Sequence, residues 1–307
     1  MKILVAGGAG FIGSNLVDAL IQNGHQVVVV DNLSTGQKAN LNSAAKLVEL
    51  DIQSEKLAEV FEAEKPQIVF HLAAQIDVRK SVADPIWDAK QNILGSINLL
   101  ENCNKFAVGK FIFSSTGGAI YGDTDQIPTK EGHPENPISP YGIAKLTIEK
   151  YLHYYQQIFG LSYIVLRYAN VYGPRQNSKG EAGVVAIFSS KLLAGQAPTI
   201  YGDGKQTRDY VYVGDVVKAN LAALASSKIG IYNIGTGIET DVNQLAELIK
   251  ASIGSSVEFE YKDSRPGEQQ KSCIDYSKAQ LELAWRPQVS LAEGIKETVE
   301  WFKANGK

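Results

Sequence analysis

The segment GGAGFIG, residues 7–13, follows directly on the apolar run KILVA and opens an amphipathic helix pattern near 12–23. Its glycines fit both G-x-G-x-x-G (8, 10 and 13) and G-x-x-G-x-x-G (7, 10 and 13). Glycines at these points let the backbone approach a pyrophosphate, whose charge then lies against free N–H groups at a helix N-terminus. The alternative is a tight turn that needs glycine only for its backbone angles. The flanking strand and helix, with an acid downstream, favour dinucleotide binding.

Short β-branched runs alternate with helical patterns through the first half of the chain. The predicted strands are 2–7, 25–31, 45–51, 66–74, 110–115 and 161–173, and the predicted helices lie near 12–23, near 84–104 and after Ser139. Strands that are apolar throughout are covered on both faces, as in a parallel sheet between helices. We therefore expect an α/β fold, with a doubly wound parallel Rossmann sheet and a second, smaller α/β substrate domain. The expected domains are 1–172 and 173–307, with part of 208–235 packing back on the first.

Composition narrows the possible partners. The chain has 307 residues and a net charge of -3, and its 30 basic residues form no Lys/Arg run, so nothing suggests binding to nucleic acid or an anionic membrane. The N-terminus lacks a signal-peptide pattern, and no apolar run reaches the roughly 18 residues of a membrane span. Cys103 and Cys273 are the only cysteines and lack a metal-type spacing. We expect a cytoplasmic protein with a small-molecule partner, without a disulfide or a bound metal.

Asp31 ends the predicted second strand, 18 residues after Gly13, where a carboxylate can accept hydrogen bonds from an adenosine ribose. A carboxylate there also repels a 2′-phosphate, and DNLSTG at 31–36 contains no arginine, so the sequence favours NAD over NADP. Lys38 is the one nearby cation. Asp51 and Ile52 end the predicted third strand and are candidates for contacting the adenine, although Asp51 also fits a plain turn.

SPYGIAK, residues 139–145, predicts the start of a helix with Ser139 as N-cap and Pro140 as its first residue. Tyr141 and Lys145 then share one helical face. An apolar stripe continues along that face, so a packed tyrosine beside a solvated lysine is one interpretation. Beside a bound NAD the pair predicts proton transfer instead, because an ammonium and a positive nicotinamide favour the phenolate, whose phenol has a pKa of about 10.

Further motifs occur in order along the chain: HLAAQ (71–75), KQNILGS (90–96), SST (114–116), RYANVYGPR (167–175), RDYVYVGDV (208–216) and RPGE (265–268). Together with GGAGFIG, DNLSTG and YGIAK, they resemble the extended short-chain dehydrogenase/reductases, and within them the UDP-hexose 4-epimerases, over nearly the full length. The resemblance implies a catalytic triad of Thr116, Tyr141 and Lys145. SSTGGAIYG carries one residue more than the related form SSSATVYG, which leaves Ser115 as an alternative to Thr116. Thr116 is preferred because its 25-residue spacing to Tyr141 matches the family.

The resemblance also implies two sets of binding residues. The cofactor set is Gly7, Gly10, Phe11, Ile12, Gly13, Asp31, Asn32, Ser34, Thr35, Gly36, Asp51, Ile52, Leu72, Ala73, Ala74, Gln75, Asn92, Ser114, Tyr141, Lys145 and Tyr168. The set for the nucleotide sugar is Ser115, Thr116, Tyr141, Asn170, Val184, Thr199, Tyr201, Arg208, Arg265, Glu268 and Ser272. Arg208 and Arg265 would hold the diphosphate, since guanidinium forks suit phosphate oxygens.

The implied reaction is inversion at C4 of a UDP-hexose. Tyr141 would take the 4-hydroxyl proton through Thr116 while C4 passes its hydride to NAD; the 4-keto sugar would then turn and receive the hydride on its other face. Ser272, seven residues after Arg265, is small and would leave room for an N-acetyl group at C2. The expected substrates are therefore UDP-glucose and UDP-galactose, with their N-acetyl forms as further candidates.

Three other functions stay open. A UDP-glucuronate decarboxylase or 4-epimerase would differ in a few residues that recognise a carboxylate. A nucleotide-sugar 4,6-dehydratase resembles Thr-Asp-Glu where this chain has Thr116, Gly117 and Gly118, so its acid pair is missing. An NAD-sensing binding protein is the non-enzyme alternative. The resemblance also implies a homodimer formed by the helices near 84–104 and 140–159.

Overall fold

The computed structural model describes residues 1–178, 183–264 and 269–305. Its elements alternate strand and helix through the first half of the chain, and shorter strands follow. They are, in chain order, β1 (Lys2–Ala6), α1 (Phe11–Gln22), β2 (Gln26–Asp31), a 3₁₀ turn (Lys38–Asn40), β3 (Lys46–Glu49), α2 (Leu57–Glu64), β4 (Ile68–His71), α3 (Val78–Ala83), α4 (Pro85–Ala89), a π turn (Lys90–Leu94), α5 (Gly95–Lys105), β5 (Lys110–Thr116), α6 (Gly117–Ile120), α7 (Pro140–Phe159), β6 (Ser162–Tyr168), β7 (Asn170–Tyr172), α8 (Val184–Leu193), β8 (Thr199–Tyr201), β9 (Thr207–Arg208), β10 (Tyr210–Tyr212), α9 (Val213–Ala225), β11 (Gly230–Ile234), β12 (Thr240–Asp241), α10 (Val242–Ile253), β13 (Glu260–Lys262), β14 (Lys271–Ser272), α11 (Ser277–Leu283) and α12 (Leu291–Asn305).

The main sheet confirms the predicted doubly wound Rossmann fold. Its seven strands run in the order β11-β6-β5-β4-β1-β2-β3, and each neighbouring pair is parallel. The chain winds outward from β1 in one direction through β2 and β3, and from β4 in the other. This change of direction opens a crevice at the carboxyl ends of β1 and β4, where such sheets bind their ligands.

A hydrophobic layer covers each face of this sheet. On one face α1 and α9 pack together, and the buried core there includes Leu16, Val216 and Tyr232. On the other face α2, α5 and α7 supply side chains such as Phe61 and Leu152. Both β11 and α9 fall inside the range 208–235. Strand β11 belongs to the main sheet, and helix α9 packs against one face of that sheet.

A separate core holds the remaining elements together. It joins α8, α10 and α12 around residues such as Phe188, Leu245 and Val299. Three small sheets lie next to it: β7 with β10, β8 with β13, and β9 between β12 and β14.

Three strand predictions were wrong in extent, and the strand predicted at 66–74 covers only Ile68–His71. The single strand predicted at 161–173 is two strands, because the chain leaves the main sheet after Tyr168 and Asn170 pairs with β10 instead. The strand predicted at 45–51 ends at Glu49, so Asp51 and Ile52 lie in the turn that follows. At 161–173 the change of hydrogen-bonding partner, which sequence does not show, ends the first of the two strands. None of the helices within the described ranges combines the length and apolar character that crossing a membrane requires.

Candidate active site

The glycine loop lies at the carboxyl end of β1 and is closed by backbone atoms on two sides. A side chain at Gly7, whose φ is +82°, would meet the backbone nitrogen of Ala73 at 2.4 Å, and one at Gly13 would meet the carbonyl oxygen of Gly7 at 2.1 Å. Helix α1 begins here without a side-chain cap and without an acid in its first turn. Its first N–H groups and its dipole therefore suit an anion such as a diphosphate.

Asp31 connects this loop to the end of β2. Its carboxylate accepts from the backbone nitrogens of Ala9 and Leu33, each at 2.9 Å. Gly36 packs so closely that a side chain there would meet Asp31 Oδ1 at 2.9 Å. Next to it, the Asn32 side chain donates to Asp51 at 2.8 Å, so the two predicted adenosine-contacting segments lie side by side. This arrangement fits the adenosine half of a dinucleotide.

The π turn places Asn92 against the loop that follows β4. Asn92 accepts from the Gln75 backbone nitrogen at 2.8 Å and donates to the Gln75 carbonyl oxygen at 2.9 Å. It also donates to Asp88 at 3.0 Å. Asp88 is 1% exposed, and its second carboxylate oxygen has no hydrogen-bond partner among the described residues. Sequence reasoning missed Asp88; its place four residues before Asn92 was the available signal.

Helix α7 carries the tyrosine and the lysine as predicted. Ser139 caps it by accepting from the Gly142 nitrogen, Pro140 is its first residue, and Gly160 ends it in the left-handed conformation. Tyr141 is partly exposed, whereas Lys145 is 5% exposed, so the interpretation of a packed tyrosine beside a solvated lysine is wrong. The burial follows from β5, against which this face of the helix packs.

Lys145 is held by the end of β5. Its ammonium donates to the Ser114 carbonyl oxygen at 2.7 Å. The same nitrogen lies 4.7 Å from the centre of the Phe113 ring and 5.9 Å from the centre of the Tyr141 ring. The ammonium is thus next to the phenol ring and is fixed by a strand carbonyl.

Burial controls the proton affinities of this pair. It lowers the pKa of Lys145 to about 8, a fall that the negative charges of Glu149 and Asp88 oppose. It raises the pKa of Tyr141, and the charge of Asp88 raises that pKa further. In the protein by itself, desolvation and the charge of Asp88 therefore oppose the phenolate. That the ammonium and a positive nicotinamide together favour the phenolate stays a prediction.

The two candidate hydroxyls at the end of β5 have different surroundings. Ser115 is 4% exposed and donates to the Glu149 carboxylate at 2.6 Å. Thr116 is partly exposed, and its oxygen accepts from the Ala119 nitrogen at 3.2 Å. A hydroxyl has one donor and two acceptor positions, so Thr116 keeps its donor for a ligand. This favours Thr116 over Ser115.

Three residues predicted to contact the substrate converge at Gly118. A Cβ atom built at Gly118 would lie 4.0 Å from Thr116 Oγ1, 3.9 Å from Asn170 Oδ1 and 3.6 Å from Ser272 Oγ. These residues come from β5, β7 and β14, which are far apart in sequence. The open position between three oxygen atoms is suited to a polyhydroxylated ligand.

Arg208 lies next to this position. It is opposite Ser272 in the pairing of β9 with β14. Its guanidinium donates to the Thr207 carbonyl oxygen at 2.8 Å, and it has no acidic partner within the described ranges. A phosphate could therefore bind it directly.

The other predicted residues are distributed as follows. Val184 begins α8, and Thr199 and Tyr201 are the two ends of β8. Tyr168 is buried and shares hydrogen bonds with Asn220 on α9. Arg265 and Glu268 lie outside the described residues, so their roles stay predictions. None of the described residues form a cluster of three or more His, Cys, Asp or Glu suited to a metal ion.

Sequence reasoning also missed a buried charge network behind β5. Arg167 on β6 is 0% exposed and forms an ion pair with Glu149 on α7 at 2.5 Å. In the sequence, Arg167 was noted only as the first residue of the motif RYANVYGPR. The available signal for its partner was that Glu149 lies one helical turn after Lys145.

Comparison with known proteins shows the family to which the chain is similar. The family model described as the NAD dependent epimerase/dehydratase family matches residues 3–235. The UDP-glucose 4-epimerase of Mycolicibacterium smegmatis is 45% identical over 309 residues, covering 99% of each chain. The structure of the UDP-glucose 4-epimerase of Thermotoga maritima with UDP-glucose superposes with a TM-score of 0.98, at 54% identity over 100% of both chains. That of Thermus thermophilus, in complex with NAD, gives a TM-score of 0.96 at 42% identity, covering 99% of this chain and 100% of that one.

Proposed function

This chain belongs to the NAD dependent epimerase/dehydratase family, as its motifs predicted, and from that premise we propose that it is an NAD-dependent UDP-hexose 4-epimerase. It is an isomerase that interconverts UDP-glucose and UDP-galactose through a transient 4-keto sugar. The three relatives described above, which share 42–54% identity with essentially the whole chain, are named UDP-glucose 4-epimerase.

The observation that carries the proposal is the meeting of two sites at one crevice. The glycine loop and Asp31 fit a dinucleotide at the carboxyl ends of β1 and β2. Thr116, Asn170 and Ser272 surround an open position beyond the end of β5. Tyr141 and Lys145 lie at the start of α7, where the Lys145 ammonium bonds to Ser114 near the end of β5. Oxidation of a sugar alcohol requires groups that transfer its proton next to a dinucleotide site. Here these groups are a hydroxyl, a phenol and an ammonium.

NAD, when bound, supplies an oxidised ring that can take up a hydride and return it, so the overall reaction is redox-neutral. Its positive charge would also offset the effects that raise the pKa of Tyr141. Tyr141 accepts the proton of the sugar 4-hydroxyl through the Thr116 hydroxyl and later gives it back. Lys145 holds positive charge beside the phenol, and the Ser114 carbonyl fixes its position.

Arg208 binds the diphosphate of the nucleotide sugar in this proposal, with Arg265 as its predicted partner. Val184 at the start of α8 and the β8 residues Thr199 and Tyr201 complete the nucleotide side. Ser272 leaves room for a substituent at C2, so the N-acetylated UDP-hexoses are proposed as further substrates.

A dehydratase is disfavoured by the packing at the end of β5. A side chain at Gly117 would meet Ile274 Cδ1 at 2.6 Å, so the first acid of the Thr-Asp-Glu pattern would require the buried Ile274 side chain to move. A UDP-glucuronate decarboxylase or 4-epimerase stays the alternative within the family. It would require a cation facing the C6 position of the sugar.

A homodimer is proposed from the exposed apolar face that α4, the π turn and α7 share. Ile86, Leu94 and Ile158 are 70%, 55% and 61% exposed there. Large apolar side chains exposed to this extent favour a subunit interface. Light scattering of the purified protein would give twice the chain mass if this is correct. The cytoplasmic location stays a prediction.

The function is tested by incubating the protein with UDP-glucose or UDP-galactose and resolving the products by NMR. We expect either sugar to yield the other without added NAD or net change of redox state. The Tyr141→Phe variant should retain NAD and fold normally while losing about a thousandfold in kcat, because only the proton acceptor is removed. Turnover of UDP-glucuronate but not of UDP-glucose would contradict the proposal.

A further inference from the structure

The buried network behind β5 is not used by the proposed chemistry, yet every nitrogen of its arginine is bonded. Arg167 donates to the two carboxylate oxygens of Glu149 at 3.0 and 2.5 Å. It also donates to the Tyr121 hydroxyl at 2.8 Å and to Glu135 at 2.9 Å. Arg167 and Glu149 are 0% and 2% exposed, so both charges are removed from water.

Glu149 connects this network to the end of β5. Its carboxylate accepts from the Ser115 hydroxyl at 2.6 Å. One helical turn earlier, Lys145 donates to the Ser114 carbonyl oxygen at 2.7 Å. Two consecutive strand residues are therefore bonded to two α7 residues one turn apart. The next strand residue is Thr116, and Tyr141 precedes Lys145 by one helical turn, so these two bonds join the strand and the helix that carry the two groups proposed to exchange the proton.

Stability alone is a weak reason for such a network. Burying two charges costs desolvation energy, and an apolar pair of similar volume is often as stable as a buried ion pair. An ion pair with several directed hydrogen bonds does fix geometry, because each bond has a preferred direction and length. We propose that Glu149 is a positioning residue for the epimerisation, which holds Thr116 and Tyr141 in register by bonding to Ser115. This inference rests on the proposed function.

The charge of Glu149 supports the same role. Burial lowers the pKa of Lys145, and the negative charges of Glu149 and Asp88 oppose this fall, with the larger effect coming from Glu149. Loss of that charge would favour the neutral amine and weaken the stabilisation of the phenolate. The groups that face the ammonium from its own helix and the elements packed against it are Tyr141, Glu149, Asp88, His71, the Phe113 ring and the Ser114 carbonyl.

Ser115→Ala is the first test, because it removes the bond between strand and helix and leaves the Glu149–Arg167 ion pair in place. We expect kcat for UDP-glucose to fall about tenfold, with KM changed by less than about twofold, the size expected for losing one hydrogen bond to a charged group. Thr298→Val is the matched control, since within the described part of the chain its buried hydroxyl bonds only to Gly294 in α12. Neither of its kinetic parameters should change.

Glu149→Gln is the second test, because it removes the charge and keeps the shape. The alkaline limb of the kcat–pH profile should move to lower pH, and ¹³C NMR of the Lys145 side chain, assigned with Lys145→Met, should show a titration at lower pH. Glu64→Gln is the control, since Glu64 pairs with Lys2 and Lys46 near the amino end of β1, away from Tyr141. It should leave both titrations unchanged.

A raised KM with unchanged kcat in Ser115→Ala would overturn the inference, because Ser115 would then contact the substrate. Unchanged kcat and KM in Ser115→Ala would also overturn the inference. If Glu149→Gln does not fold, the kinetics of Ser115→Ala alone decide whether the inference holds. If the wild type does not invert C4, the proposed function fails. The Lys145 titration in Glu149→Gln then decides the inference, and an unshifted titration would reject it.

Discussion

The cofactor side and the substrate side of the crevice are built in different ways. The cofactor side consists mainly of backbone from the first 37 residues, with the Gly10 nitrogen donating to Gly7 and the Gln37 nitrogen donating to Ala9. The substrate side consists of side chains from distant segments, brought together by short strand pairings such as Arg208 with Ser272. A backbone site is therefore sensitive to added atoms, and a side-chain site is sensitive to removed ones.

The largest effect should come from adding an atom to the cofactor side. In Gly13→Ala the new Cβ would lie 2.1 Å from the Gly7 oxygen and 2.8 Å from the Gly8 Cα, both of which are backbone atoms that cannot turn away. We expect NAD affinity to fall at least about a hundredfold, from about 3 kcal/mol of overpacking. Calorimetric titration measures this. Gly132→Ala, where nothing lies within 4 Å, should bind NAD normally. Near-normal affinity in Gly13→Ala would remove the contrast between the two sides.

A smaller effect should come from removing a charge on the substrate side. Arg208→Ala should weaken UDP binding about thirtyfold, since hydrogen bonds to charged groups contribute about 1.5–3 kcal/mol each, while NAD affinity stays unchanged. Titration with UDP and with NAD separates the two effects. The exposed Arg286→Ala is the control for loss of one positive charge. An equal loss of NAD affinity in Arg208→Ala would show that the two sides are not independent.

The pH dependence tests the residues between the two sides. Because the pKa of Lys145 is lowered to about 8, its ammonium loses the proton as pH rises through that value, and kcat should fall on the alkaline side. Lys145→Arg keeps its charge at all these pH values, so the alkaline fall should disappear, although kcat is lower throughout. Steady-state rates measured from pH 6 to 10 would show this. A fall that persists in Lys145→Arg would assign the alkaline limb to another group.

The smallest effect should come from adding an atom to the substrate side. In Gly118→Ala the new methyl group would make ordinary contacts of 3.6 Å or more, so the protein should fold. Alanine is also favoured over glycine in a helix by up to about 1 kcal/mol, so thermal stability should be unchanged or higher. We nevertheless expect kcat/KM for UDP-glucose to fall about fivefold, and further for UDP-N-acetylglucosamine, whose C2 group is larger.

Two outcomes would contradict this last expectation. Unchanged kcat/KM in Gly118→Ala would show that the position between Thr116, Asn170 and Ser272 is not used by the sugar. Turnover of UDP-glucose without UDP-N-acetylglucosamine by the wild type would refute the argument from Ser272. Gly117→Ala is the comparison for stability, and it should destabilise the protein because its Cβ would meet Ile274 at 2.6 Å.

Local signals were sufficient for much of the fold. The Ser139 cap and Pro140 predicted the start of α7, and the glycine loop and Asp31 predicted the first strand–helix–strand unit. Each of these features depends on a few neighbouring residues: a cap bonds within three residues, and a glycine turn is decided by its own backbone angles.

The sequence by itself thus determined the class of fold, the glycine loop that follows β1 and the helix that carries Tyr141. Only the tertiary structure decided that Lys145 is buried, that Ser115 is bonded to Glu149, and that the predicted strand at 161–173 divides after Tyr168. The physical reason is the range of the interactions. Burial, ion pairing and strand partners depend on residues far away in the chain, and a single sequence does not state which of them meet.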